Sequence, residues 1–207
     1  MIGLKRWIKK TRVTKDIFIV HFRRQKDMAY TFLRFQEHYE SPRFMNRVFT
    51  HEEYKKWYIK LKGKFSYYKD WDGFNIPSSA LRKFYDGNFD PLTAEEKAFL
   101  NLFKNHKHKF YIIAVFGKNP RALLRHEIAH GLFFSDVSYR RKVLRIMKEY
   151  DLSKVKKELL NLGGYSKKVL LDEIQAYTVS LSNELRSKIS EEMSRKIKEL
   201  YYKYVDE

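Results

Sequence analysis

The chain has 207 residues, of which 43% are hydrophobic, none is cysteine, and Lys plus Arg outnumber Asp plus Glu by 43 to 25, a formal charge of +18. This length and apolar content suit one packed domain or two small ones and exclude a disordered chain; the lack of cysteine excludes disulfides, thiolate metal sites and a Cys nucleophile, so any metal must be held by His, Asp or Glu. No apolar run approaches the roughly 18 residues of a membrane helix, and the basic start Met1–Lys10 has no apolar stretch after it of the kind a secretory signal needs, so a soluble, cytoplasmic protein is expected.

The chain opens on a basic cluster, Lys5, Arg6, Lys9, Lys10 and Arg12, but the positive excess is otherwise spread evenly along the sequence. Such a surface is first of all solvated, and the partners it favours are polyanions, nucleic acid among them. Asp16–Phe22 is β-branched and aromatic and reads as a buried strand. Lys26–Tyr39 has helical periodicity, and Ser41-Pro42 ends it. Thr50-His-Glu-Glu53 is a capping box that opens a helix to Leu61, with Gly63 as its stop. Lys64–Gly73 is aromatic and strand-like, Ser78–Phe84 reads as a short helix, and Thr93-Ala-Glu-Glu96 is a second capping box. Lys109–Phe116 is the strongest strand signal. Asn119 and Pro120 then suit the N-cap and first position of a helix to about Phe134. Helices near 137–150, 152–162, 166–181 and 190–204 follow, with Gly163-Gly164 as a turn. Strands in the first half and helices alone in the last third predict an α+β fold. The expected form is a single domain over 1–207, with a small mixed sheet from 16–22, 64–71 and 109–116. Its upper half spans about 1–134 and its helical lower half about 135–207.

One motif carries specific chemistry. In Arg125-His-Glu-Ile-Ala-His130 the two histidines are four residues apart, on one helix face, where both imidazoles can reach one ion. Glu127 points elsewhere and suits a base beside the metal. The neighbours Leu123, Leu124, Ile128, Ala129, Leu132 and Phe133 are apolar, and buried imidazoles there are costly unless they join a metal or a network. A third ligand is needed, and three acidic residues are candidates. Asp136 lies ten residues after His126 but also suits the first turn of the next helix. Glu173 and its neighbour Asp172 lie in the apolar helix Leu170-Leu-Asp-Glu-Ile-Gln-Ala-Tyr177, which two intervening helices can bring back over the first histidine; Glu173 is the favoured one. The remaining features read as structural. His106-Lys-His108 is a basic loop, His21, His38 and His51 stand alone, and the Tyr and Phe residues of 65–74 are core rather than a base-stacking platform.

The motif His126-Glu-Ile-Ala-His130, with Glu173 on a later helix, resembles the gluzincin metallopeptidases, and the compact spacing is most similar to the small archaeal minigluzincins. The resemblance covers 109–181 and, loosely, 16–39; residues 41–108 form an insertion without a counterpart. It implies a zincin-like fold with a small sheet over an active-site helix, Zn²⁺ held by His126, His130 and Glu173, and Glu127 as general base. Larger gluzincins carry an acidic residue four positions after the ligand glutamate to orient a histidine; here that position is Tyr177.

The expected function is hydrolysis of peptide or protein substrates. Tyr177 and Tyr165 are the candidate oxyanion donors, and 109–116 is the strand expected to pair with extended substrate. The Lys and Arg surplus favours acidic substrates. Two other readings make different predictions. A basic nucleic-acid-associated protein with a structural zinc site binds DNA or RNA in a salt-sensitive way and hydrolyses nothing. A latent or inactive zincin, its cleft filled by 41–108 or the C-terminal helix, binds zinc but shows no activity until cut.

Overall fold

The computed structural model of the chain describes residues 8–117, 121–162, 169–180, 185 and 187–205. They fall into two compact units, Met1–Lys118 and Asn119–Glu207. Sheet and helices segregate along the chain, so the class is α+β, as predicted.

The first unit is built on a four-stranded mixed sheet in the order β1-β2-β4-β3. β1 (Ile8–Thr14) and β2 (Ile17–Phe22) are an antiparallel hairpin. β2 runs parallel to β4 (Tyr111–Phe116), with Ile17 opposite Tyr111. β3 (Gly73–Pro77) closes the other side antiparallel to β4, with Phe74 opposite Ala114. β2 and β4 are two of the predicted strands, and their apolar runs suit interior positions. α1 (Gln25–Glu40) packs on this sheet and buries Met28, Phe32, Leu33 and Phe35 completely. Phe32 stacks on Phe74 at 5.6 Å and meets Phe99 of α5 (Ala94–Asn101) edge-on at 4.8 Å. Each such pair adds roughly 0.5–1.5 kcal/mol beyond the area it buries. Both predicted capping boxes form: Thr50 with Glu53 at the start of α2 (His51–Lys62), and Thr93 with Glu96 at the start of α5. Gly63, at φ 78°, ends α2 in a left-handed conformation that favours glycine.

The strand expected over 64–71 does not form. Tyr67–Asp70 is a helical turn, α3. Its Asp70 carboxylate accepts from Ser66 Oγ at 2.8 Å and from the Tyr58 hydroxyl, and Tyr67 is fully buried against Tyr54 and Tyr58. The Tyr and Phe residues that suggested a strand pack in or against the core, as expected, but as a local cluster, while Trp71 is exposed. The strand begins at Gly73, where a Cβ would stand 3.1 Å from the Ala114 carbonyl oxygen. β1 was not foreseen, because its basic, exposed side chains carry no alternating apolar signal. β4 is paired on both sides, so its edges are closed and it cannot accept a substrate strand. The segment after β3 is a 3-10 turn, Ser78–Leu81, and a short helix, α4 (Arg82–Tyr85), close to prediction.

The second unit is helical: α6 (Arg121–Ser135), α7 (Val137–Met147), α8 (Ser153–Leu162), α9 (Leu170–Ser180) and α10 (Glu191–Val205). α9 packs against α6, α8 and α10, and α7 packs against α6 and α10. Ala129, Leu132, Tyr139, Val143, Ile174, Ala176, Ile197 and Tyr201 are buried. The predicted helix start at Asn119-Pro120, the Gly163-Gly164 turn and Tyr165 lie outside the described residues. No helix among the described residues is long and apolar enough to cross a membrane.

Candidate metal centre

α6 carries the motif as the sequence predicts, with His126 and His130 one turn apart. α9 lies against α6 and brings Glu173 to the pair. His126 Nε2 and His130 Nε2 are 3.1 Å apart. The Glu173 carboxylate places Oε2 3.8 Å from the first and Oε1 3.8 Å from the second. These three residues, separated by 47 positions, are arranged to bind a metal ion. Their side chains are only 10–17% exposed.

Each imidazole is held by its remaining hydrogen-bonding capacity. His130 Nδ1 lies 2.9 Å from Asp172 Oδ1. Because a carboxylate can only accept, Nδ1 carries the proton and Nε2 offers its lone pair to the centre. Asp172 Oδ1 also accepts from Gln175 Nε2 at 3.0 Å, and Gln175 Oε1 accepts from the Tyr139 hydroxyl at 2.9 Å. Gln175 and Tyr139 are fully buried, so the chain of bonds runs from the metal centre into the core. His126 hydrogen-bonds the Ala176 backbone, and the ring of Tyr177 packs edge-on against it at 4.8 Å. Residues 172, 173, 176 and 177, within two turns of α9, thus all act on the two histidines.

The surroundings shift the two rings in opposite directions. Burial pushes His126 down to about 3, and the neighbouring His130 adds to this. Burial also acts to lower His130, but the Asp172 hydrogen bond and charge, followed by Glu173 and Glu127, outweigh it and raise the ring to about 9. The carboxylates thus favour positive charge at His130, and a bound cation would supply that charge in place of the proton on Nε2.

The structure divides the sequence-derived candidates clearly. Asp136 is the N-cap of α7, its Oδ1 accepting from the Tyr139 amide at 2.8 Å, and is no part of the group. Asp172 is not in the ligand group either; it orients His130 from behind. This role was missed because the orienting acid was sought four residues after Glu173, at Tyr177. The adjacent Asp-Glu pair in an apolar helix was the available signal. Glu127 is half-buried, and its charge acts on His130. Four other histidines make structural contacts: His21 bonds the Gly117 carbonyl, His38 the Arg47 carbonyl, His51 stacks on Tyr30, and His106 packs on Phe18, while His108 is exposed.

No family model matches the chain, and comparisons with curated proteins and with solved structures give no significant match.

Proposed function

We propose that the protein is a zinc-dependent peptidase with a zincin-like active-site arrangement. The observation that carries this reading is the convergence of His126, His130 and Glu173 beside Glu127 on α6. Donors around a tetrahedral ion with bonds of about 2.0–2.1 Å are about 3.3–3.4 Å apart. The two imidazole nitrogens are 3.1 Å apart, and with one donor atom from each residue the three lie within 4.8 Å of one another, a looser set that an ion would draw together. The donor set, two imidazoles and a carboxylate, is that of hydrolytic zinc sites with a fourth position for water.

His126, His130 and Glu173 would hold the ion, with Asp172 fixing the tautomer of His130. Bound zinc supplies a Lewis acid that lowers the pKa of water towards about 7 and polarises a carbonyl. The Glu127 carboxylate takes a proton from the attacking water and passes it to the amide nitrogen of the leaving chain. Tyr177 packs on the His126 ring and keeps it in place, and its hydroxyl is the remaining candidate on α9 for the oxyanion.

Metal analysis combined with hydrolysis of an unfolded protein substrate tests this. His126→Ala, His130→Ala and Glu173→Ala each lose metal. Asp136→Ala keeps it. Glu127→Gln keeps a full complement of metal and loses hydrolysis by at least roughly 10²-fold. Full metal in all three ligand variants, or undiminished hydrolysis in Glu127→Gln, overturns the reading.

A further inference from the structure

The second unit also contains a groove of about 880 Å³, lined by α7, the start of α8 and Leu171 of α9. That volume lies within the roughly 300–1,000 Å³ of ligand sites. On its rim stand Arg141, Arg145 and Lys148, with Lys156 across from them on α8. None of these four forms an ion pair with a carboxylate among the described residues. The floor is apolar: Leu144, Met147, Leu152 and Leu171.

Two acidic residues stand near the rim: the charge of Asp151 acts on Lys156, and neither acid ion-pairs with Arg141, Arg145 or Lys148 among the described residues. Asp151 lines the groove, but its carboxylate accepts from the amide and the hydroxyl of Ser153 at 2.9 and 3.0 Å and caps α8. Glu149 pairs with Lys196 at 3.0 Å. Lys196 also sits 5.4 Å over the ring of Tyr150, another groove residue, and fixes that wall. The groove is thus a preformed apolar trough with Arg141, Arg145 and Lys148 outside any ion pair at its lip among the described residues, and Lys156 partly offset by Asp151.

An occupant must bring apolar side chains for the floor and several negative charges for the rim. Nucleic acid supplies the charges but leaves the aliphatic floor unmatched. An acidic amphipathic polypeptide segment supplies both. Arg141, Arg145 and Lys148, the last at the C-cap of α7, follow the i, i+4, i+7 spacing and span about 10 Å along the helix axis. A helix with Glu at that same spacing and Leu on the adjoining face matches them, as in the helix-in-groove mode of recognition. We propose that this groove is an exosite that captures acidic, amphipathic segments of the protein substrate; the inference rests on the peptidase reading above and names its substrate class.

The test uses the full-length Glu127→Gln protein, so that no cleavage enters, with fluorescence anisotropy as the readout. The probe is a fluorescein-labelled 15-residue peptide of Glu and Leu in helical register. The comparison probes are an all-Glu peptide, a Lys/Leu peptide and a 15-nucleotide oligothymidylate. The expected result is saturable binding of the Glu/Leu peptide that Arg141→Glu/Arg145→Glu weakens by at least roughly tenfold. Arg12→Glu/Lys15→Glu, the same change in net charge placed in the first unit, leaves binding within about twofold. Lys148→Glu/Lys156→Glu provides a second variant should the first lower the melting temperature. Equal loss in the control pair, absence of binding, or oligothymidylate or all-Glu binding as tight as Glu/Leu each overturns the proposal. Failure of the peptidase reading shows separately, as undiminished hydrolysis in Glu127→Gln or metal retained without its ligands.

Discussion

Each unit of the molecule buries a cluster of charged and titratable side chains, and the two clusters are built to opposite ends. In the first unit the Arg34 guanidinium grips Glu96 through Nε and Nη2, and its remaining donors reach the Phe89 and Pro91 carbonyls. Glu96 also accepts from the Thr93 amide at 2.8 Å and faces His51 at 3.3 Å. Positive and negative charge meet within the cluster, and the Arg34 nitrogens all have acceptors. The second cluster contains two imidazoles and two carboxylates, with each carboxylate set against a histidine. Its outer hydrogen-bonding positions are tied to Asp172 and Ala176, while both Nε2 atoms and the Glu173 carboxylate face one point. In the first cluster the charges close on one another, whereas in the second the donor atoms converge on one point, as a metal site requires.

The largest expected effect breaks the closed cluster. Glu96→Ala leaves the Arg34 charge buried without its partner and removes half of a capping box. A loss of about 3–5 kcal/mol in urea unfolding is expected, with metal content unchanged. Loss of metal in this variant would show that the two clusters are coupled and end the contrast.

The same residue gives a pH signature of similar size. Burial acts to raise the Glu96 carboxyl, but hydrogen bonds from Arg34, His51 and the Thr93 amide outweigh it and hold the group at about 2. A folded value below the unfolded one means the stabilisation is complete above about pH 4.5 and is lost as the pH falls towards 2. Acid unfolding of the wild type should therefore steepen over this interval by about 3 kcal/mol, and Glu96→Gln should remove that contribution.

The open cluster is probed more gently through Asp172→Asn. The amide keeps an acceptor for His130 Nδ1 but removes the charge, so metal affinity should fall roughly 10- to 100-fold, as measured by competition with a chromogenic chelator. Unchanged affinity would demote Asp172 from orienting group to bystander.

Much of this contrast can be read in the sequence, and the missing parts share a cause. The i, i+4 histidines, both capping boxes and the buried strands β2 and β4 depend on residues close together in the chain, so local periodicity reveals them. Glu173 was favoured as third ligand because an acidic pair interrupts an apolar helix that two intervening helices can bring back over His126. The separate tasks of Asp172 and Glu173 depend on how α9 rotates against α6, and no local pattern encodes that angle. β3 escaped notice because five residues between a glycine and a proline are too short for a clear period of two. The aromatic run before it drew the strand assignment, although Tyr67 and its neighbours were filling space around α2.

The basic edge strand β1 has a consequence for how the molecule behaves among its own copies. Lys9, Lys10, Thr11 and Arg12 are all exposed along the open side of the sheet. Another chain adding its own β1 there would bring like charges to about 5 Å across the new pair. Electrostatic repulsion thus guards an edge whose unpaired amides and carbonyls would otherwise invite sheet extension. Part of the +18 charge is in this sense insurance against self-assembly, and neutralising Lys9 and Arg12 would leave the fold intact while opening a route to aggregation.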